Sequence, residues 1–336
     1  MELVQAKAPA PEAISVRSPT PAPRLSCVIP CFNEAGNLRK LLPLLVGFLG
    51  ERFSSWEIVI VDDGSDDASI DVIEHWTALP NVKAVQLSRN FGKEAALAAG
   101  LEAAGGDVVV LLDADLQHPL ALIETMMQRW RAGADVVYAV RSDRSDEGLL
   151  KRAGTRLFYR LINLGDRFEV PADAGDFRLM DRAVVDALLA QRERNRFMKG
   201  LYAWVGFKTE GVPYVPAARA EGKSKFSLPR LLALSVDGLT GFTTWPLRLV
   251  SAAGLLLAVV SLVYGAYLVA SYLLYGNPVS GWTTIVVLLL MFAGIQMLSL
   301  GILGEYVARI FEEVKARPLY VVRRRLGGGR TARKPR

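Results

Sequence analysis

The sequence predicts an α/β protein: a mostly parallel sheet covered by helices on both faces, followed by interfacial helices and two transmembrane helices. Five short β-rich runs, LSCVIPCF, EIVIVDDGS, VKAVQLS, DVVVLLDADL and DVVYAV, are separated by connections of helix length, the pattern of strands buried on both faces. No charged residue occurs from Leu249 to Gly304, 56 positions broken only by the turn-like GNPVSG at Gly276 to Gly281. The chain has 336 residues, 51% of them apolar. That is too long for one small domain and apolar enough for part of it to meet lipid.

Residues 1–23 are rich in Ala, Pro and Ser with no sustained apolar run, which predicts a disordered leader, no signal peptide and a cytosolic start. Residues 24–225 form the α/β domain. Residues 226–247 carry Leu228, Leu231, Leu232, Leu234, Val236, Leu239 and Phe242, broken by Pro229 and several glycines. They read as one or two helices lying in the membrane interface, or as a linker helix packed on the domain. Residues 248–304 form the membrane hairpin, each half exceeding the ~20 residues needed to cross a bilayer. Arg248 on one side, and Arg309, Lys315, Arg317 and Arg323 to Arg325 on the other, place both ends and the α/β domain in the cytosol. Residues 305–336 form a basic cytosolic tail.

The net charge of +6 is uneven: ten Lys or Arg face three acids after Gly304, leaving thirty against thirty-one before it. A near-neutral domain with a basic tail after a membrane segment points to a membrane surface and away from nucleic acid. Cys27 and Cys31 lie four apart in a predicted strand, and His75 and His118 are far apart. Neither pair has zinc spacing, so the cysteines read as buried small residues.

In such sheets ligands gather at the carboxyl ends of strands. Asn33 and Glu34 follow the first run, Asp62 and Asp63 the second, Arg89 and Asn90 the third, Asp113 and Asp115 the fourth, and Arg141 the fifth. DADLQHP is the strongest local signal. Its two carboxylates suit a hard divalent ion, Mg2+ or Mn2+, bridging to a nucleotide pyrophosphate and neutralising charge on a departing diphosphate. In RAEGKSKF, Arg219 and Lys225 stand six apart around Gly222, with Ser224 as a further donor, an arrangement able to close over a diphosphate. Its GKS fragment is no P-loop, because Ala217 replaces the required first glycine. KRAGTRLFYRLIN, with Lys151, Arg152, Arg156 and Arg160, either faces phosphates or packs on the sheet.

Taken together, VIPCFNE, VDDGS, LSRNFGKEAAL, DADLQHP, DAGDFRLM and R-x-x-G-x-S-K-F resemble the inverting family-2 glycosyltransferases of GT-A, Rossmann-like fold. The resemblance is strongest to the branch acting on polyprenyl phosphates, which includes bactoprenol glucosyl transferases and dolichol-phosphate mannose synthase, and it runs from about Leu25 to Arg325. It implies that Pro30, Phe32, Glu34, Val61 and Asp63 line the nucleoside end of the donor site. Asp113, Ala114 and Asp115 would meet the diphosphate and metal, Gln117 would complete the metal ligands, and Arg141 would contact the donor. Arg219 and Lys225 fall where relatives bind phosphate.

Asp173 and Asp176 are, with Asp115, the carboxylates nearest the expected chemistry. An acceptor phosphate is already mostly anionic near neutral pH, so a strong general base is not required, and which of Asp173 and Asp176 matters stays open. Arg178 either serves the site or pairs structurally.

The resemblance implies inverting transfer of one sugar from a nucleotide-sugar, UDP-glucose or a related UDP-sugar, to undecaprenyl phosphate. The product would serve cell-envelope glycan modification at a bacterial cytoplasmic membrane. The alternatives are a GDP-mannose-using mannose synthase and a non-catalytic nucleotide-sugar-binding scaffold. A processive polysaccharide synthase fits less well, because Gln128, Arg129 and Trp130 are adjacent rather than spaced as Q-x-x-R-W. Gly301 and Gly304 offer small-residue surfaces for homo-oligomer contact.

Overall fold

A computed structural model describes residues 22–141, 174–191, 193–194, 196–215, 245–275 and 281–328. The five runs become β1 (Leu25–Cys31), β2 (Trp56–Asp62), β3 (Val82–Leu87), β4 (Val108–Leu111) and β5 (Val136–Arg141). Between them run α1 (Ala35–Arg52), α2 (Ser69–Trp76), α3 (Lys93–Ala103) and α4 (Leu122–Arg131). Every residue of β1 and β4 is buried, as expected of central strands covered on both faces.

Three further strands join the sheet: β6 (Ala174–Asp181), β7 (Thr209–Tyr214) and β8 (Val322–Gly327). The order is β7-β5-β6-β4-β1-β2-β3-β8. Strands β4, β1, β2 and β3 run parallel, β6 is antiparallel to both β4 and β5, and β8 is antiparallel to β3. Six of these eight strands run in one direction, with β6 and β8 against them, so the sheet is mixed but mostly parallel as expected. The sequence hides β6 because its apolar Phe177, Leu179 and Met180 are interspersed with Asp176, Arg178 and Asp181. It hides β8 because VRRRLG has no apolar run and is recruited through the open edge of β3. Part of the expected tail therefore completes the sheet.

Helices α1, α2 and α4 cover one face, with Leu38, Leu41, Leu42, Ile73 and Met126 in the core. The other face is covered by α3, α5 (Arg182–Ala190) and α6 (Met198–Trp204). A Cβ on Gly100 would lie 2.3 Å from Val28 Cγ1, so this glycine lets α3 seat directly on β1. At the amino-terminal end of the strands, buried Glu57 accepts from Ser26 Oγ and Gly105 N, both at 2.6 Å, and pairs with Arg24 at 2.6 Å and Lys83 at 3.0 Å. These contacts hold β1, β2 and β3 in register at the end away from the predicted site.

The apolar region forms α7 (Trp245–Tyr275) and α8 (Trp282–Lys315). Among the described residues one stretch, Met291–Lys315, is long and apolar enough to cross a membrane. Helix α8 runs well past Gly304, carrying Glu305, Arg309, Glu312, Glu313 and Lys315. Residues 226–244, the segment KRAGTRLFYRLIN, Asp173, Arg219 and Lys225 lie outside the described residues.

Candidate active site

The sheet order places β4 and β2 on opposite sides of β1, so the connections leaving the carboxyl ends of β1 and β4 diverge. That divergence opens the crevice in which such folds bind ligands. Pro30 and Val61 are register partners near the ends of β1 and β2, both buried. Phe32 and Glu34 follow β1 and are half-buried, and Glu34 accepts from Asn37 Nδ2 at 2.6 Å. Asn33, in a left-handed conformation with φ 55°, accepts from Asp66 N at 2.8 Å, while its own N–H donates to Ser65 Oγ at 2.9 Å. The post-β1 loop is thereby tied to the post-β2 loop.

The two carboxylates of DDGS are internal fasteners. Asp62, fully buried, accepts from Ser65 N and Gln86 Nε2, each at 3.1 Å. Asp63, 3% exposed, accepts from Phe91 N at 2.8 Å and Gly92 N at 2.9 Å. Burial raises the Asp63 pKa above the ordinary carboxylate value, only partly countered by the two backbone donors. Gly64 has φ +70°, and a Cβ there would lie 2.4 Å from the Arg89 carbonyl carbon. The loop carrying RNFGK can therefore press against DDGS only past a glycine.

Beyond β4, Asp113 and Asp115 are partly accessible, Ala114 is buried and Leu116 has φ 60°. Asp115 Oδ1 accepts from Gln117 N at 3.2 Å. In the β4–β6 ladder Val108 pairs with Asp181 and Leu111 with Arg178. Asp113 follows the end of β4 by two residues, and Asp176 precedes Arg178 by two on β6. Like charges repel, and Lys93 from the first turn of α3 stands between them. Its Nζ lies 2.7 Å from Asp113 Oδ1 and 2.6 Å from Asp176 Oδ2. Burial works against the Lys93 ammonium, but the two carboxylates outweigh it and hold its pKa above the ordinary value. Burial also works to raise the Asp176 pKa, yet Lys93 and Lys199 bring it down to about 2.

Arg178 is 3% exposed, donates to Gly175 O at 2.8 Å and lies 3.4 Å from the centre of the Tyr202 ring. Its role in the described structure is to pack β6 against α6. His118 packs on Phe177 and Tyr214, with ring centroids 4.7 and 5.5 Å away, and burial lowers its pKa. Arg141 is half-buried at the end of β5, in register with Tyr214. Cys27 and Cys31 are free and buried, and burial pushes Cys27 up to about 12.

Residues 26–189 match the family description "Glycosyl transferase family 2", and residues 245–310 match "GtrB C-terminal hairpin". The SfII prophage-derived bactoprenol glucosyl transferase of Shigella flexneri is 42% identical over 302 residues, covering 90% of this chain and 98% of that protein. The chain belongs to glycosyl transferase family 2. This family 2 transferase is also 40% identical to the uncharacterized glycosyltransferase YkcC of Bacillus subtilis, over 90% of this chain and 94% of the relative. Among solved structures, glucosyl-3-phosphoglycerate synthase from Mycobacterium tuberculosis is similar at TM-score 0.43 and 22% identity, covering 65% of this chain and 78% of that one.

Family 2 membership makes a divalent ion the group to test against this site. The Asp113 carboxylate already accepts a cationic group, the Lys93 ammonium, and Asp115 follows two residues later. Among the described residues no group of three His, Cys, Asp or Glu side chains is placed to hold a metal. The hard carboxylate oxygens of Asp113 and Asp115 suit Mg2+ or Mn2+. Sequence reasoning on the family 2 motifs missed Lys93. The signal was its place directly after Gly92, at the start of a predicted helix.

Proposed function

We propose that this transferase moves one sugar from a nucleotide donor, UDP-glucose or a related UDP-sugar, to bactoprenyl (undecaprenyl) phosphate with inversion at the anomeric carbon. The observation that carries this reading is the joining of two parts in one chain. Asp113 and Asp115 close a central strand of a family 2 sheet, and that domain continues into a hairpin of the kind found in bactoprenol glucosyl transferases.

In this reading Pro30, Phe32, Glu34, Val61 and Asp63 form the nucleoside end, Asp63 by fixing the RNFGK loop. Asp113, Ala114 and Asp115 meet the diphosphate, Arg141 contacts the donor, and Arg219 and Lys225 close over phosphate. Asp113, Asp115 and Gln117 hold Mg2+ or Mn2+, which supplies Lewis-acid neutralisation of the departing diphosphate. Asp176, kept ionised, orients the acceptor side together with Asp173. The acceptor phosphate oxygen attacks the anomeric carbon as the bond to the diphosphate oxygen breaks, so an α-linked donor gives a β-linked lipid phosphate sugar.

Both α7 and α8 cross the bacterial cytoplasmic membrane in this reading, with residues 24–225 on the cytosolic side and residues 226–247 in the interface. The apolar stretch Met291–Lys315, none of it buried, supports this placement for α8, and the run without charge from Leu249 to Tyr275 in α7 supports it for the first span.

The test is a radiolabel assay: membranes containing the protein, undecaprenyl phosphate, Mg2+ or Mn2+, and a panel of UDP- and GDP-sugars, with label followed into the organic phase. Lipid-linked label from a UDP-sugar, lost with EDTA, is the expected result. Label from GDP-mannose alone would replace the donor assignment, and nucleotide binding without a lipid product would overturn the catalytic reading.

A further inference from the structure

The position of Lys93 is explained by neither the diphosphate nor the acceptor. It is the first residue of α3, preceded by Gly92 at φ +98°, and Asp63 grips the N–H groups of Phe91 and Gly92. The backbone that delivers Lys93 is thus fixed from β2. The side chain keeps 44% of its surface accessible and still places Nζ within 2.7 Å of both Asp113 and Asp176. The need for it comes from the two carboxylates themselves, which lie close enough together for one ammonium to contact both. Asp113 is also one of the two carboxylates in the proposed metal site. An ammonium this close to the Asp113 carboxylate offsets the negative charge that a divalent ion there would use.

We propose that Lys93 is a displaceable counter-ion that competes with the divalent ion for Asp113 until a nucleotide diphosphate arrives. The inference rests on the metal reading above. With the crevice empty, Lys93 neutralises the two carboxylates and weakens the hold on metal alone. When metal and diphosphate enter together, the added phosphate charge gives the ammonium a second anionic neighbour, and Lys93 yields Asp113 while remaining on Asp176. Metal and nucleotide binding are thereby coupled through a positioning residue that lies outside DADLQHP.

The test uses the full chain purified in detergent, with free Mn2+ measured by electron paramagnetic resonance in the absence of nucleotide. Lys93→Gln removes the competing charge, so it should bind Mn2+ about fivefold more tightly than wild type, the scale of one partly exposed ion pair. Lys93→Arg keeps the charge and adds a planar fork, so it should bind Mn2+ no more tightly than wild type even if the glutamine variant fails to fold. Folded Lys93→Gln with unchanged or weaker Mn2+ binding, or Lys93→Arg with tighter binding, overturns the inference. Asp115→Asn separates the two layers. If it weakens Mn2+ binding while Lys93→Gln leaves it unchanged, only the role of Lys93 falls. If Asp115→Asn binds Mn2+ as wild type does, the metal site and the role of Lys93 fall together.

Discussion

Asp63 Oδ2 accepts the backbone N–H of Gly92 at 2.9 Å, joining the end of β2 to the residue that precedes α3. The other oxygen takes the Phe91 N–H, so one buried side chain satisfies two donors. Asp63→Ala strands both, at about 1–3 kcal/mol each, whereas Asp63→Asn retains one acceptor and should lose roughly half as much. Chemical denaturation will rank the two variants. Turnover should fall in the same order, because this loop delivers Lys93.

Glu94 gives a pH dependence of known sign. Burial, with Asp176 adding repulsion, raises its pKa from 4.5 to about 7, and its Oε2 is buried with no hydrogen-bond partner. A group whose folded pKa is raised contributes stability that is full below the unfolded value and lost as pH rises through the folded one. Wild-type melting temperature should therefore decline between about pH 4.5 and 7 from this group. Glu94→Gln should remove that decline and melt higher than wild type at alkaline pH. Thermal unfolding across the range checks it, and a variant that is less stable at every pH would disprove the assignment.

Asp115→Asn preserves shape and the contact with Gln117 N while removing a charge from the metal site. Loss of metal neutralisation is worth several kcal/mol at the transition state, so lipid-linked product should fall at least about 100-fold with an unchanged melting temperature. Full activity would sink the metal assignment.

At the sheet edge, Arg324 contacts Glu74 at 2.6 Å and Gln86 at 2.7 Å. Arg324 and Glu74 are both partly exposed, so Arg324→Ala should cost about 1 kcal/mol or less. Ending the chain after Arg317 removes β8 altogether and opens the ladder along β3 from Lys83 to Leu87. Exposed strand edges pair with other chains, so the truncated protein should aggregate in size-exclusion chromatography where Arg324→Ala does not.

Local sequence was enough to locate the five strands β1 to β5, the two long apolar helices and DAD at the end of a central strand. A buried strand declares itself by a continuous apolar run, and a membrane-length helix by its uncharged length. VIPCFNE, VDDGS, LSRNFGK and DADLQHP run from strands into the loops at their ends, whereas DAGDFRLM forms β6 itself.

Which groups each carboxylate touches is decided by packing. Asp62 and Asp63 read alike as VDDGS, yet Asp62 accepts from Ser65 and Gln86 while Asp63 accepts from Phe91 and Gly92. Asp113 and Asp176, 63 residues apart along the chain, come to contact one ammonium through an antiparallel strand whose mixed polarity concealed it. Lys93 reaches Asp113 and Asp176 from a helix start set on the sheet by Gly100 and Asp63, and VRRRLG becomes a strand because β3 presents an open edge. Pairing across distant segments is set by which backbone edges and charges the packed sheet leaves unsatisfied, a quantity that no window of sequence contains.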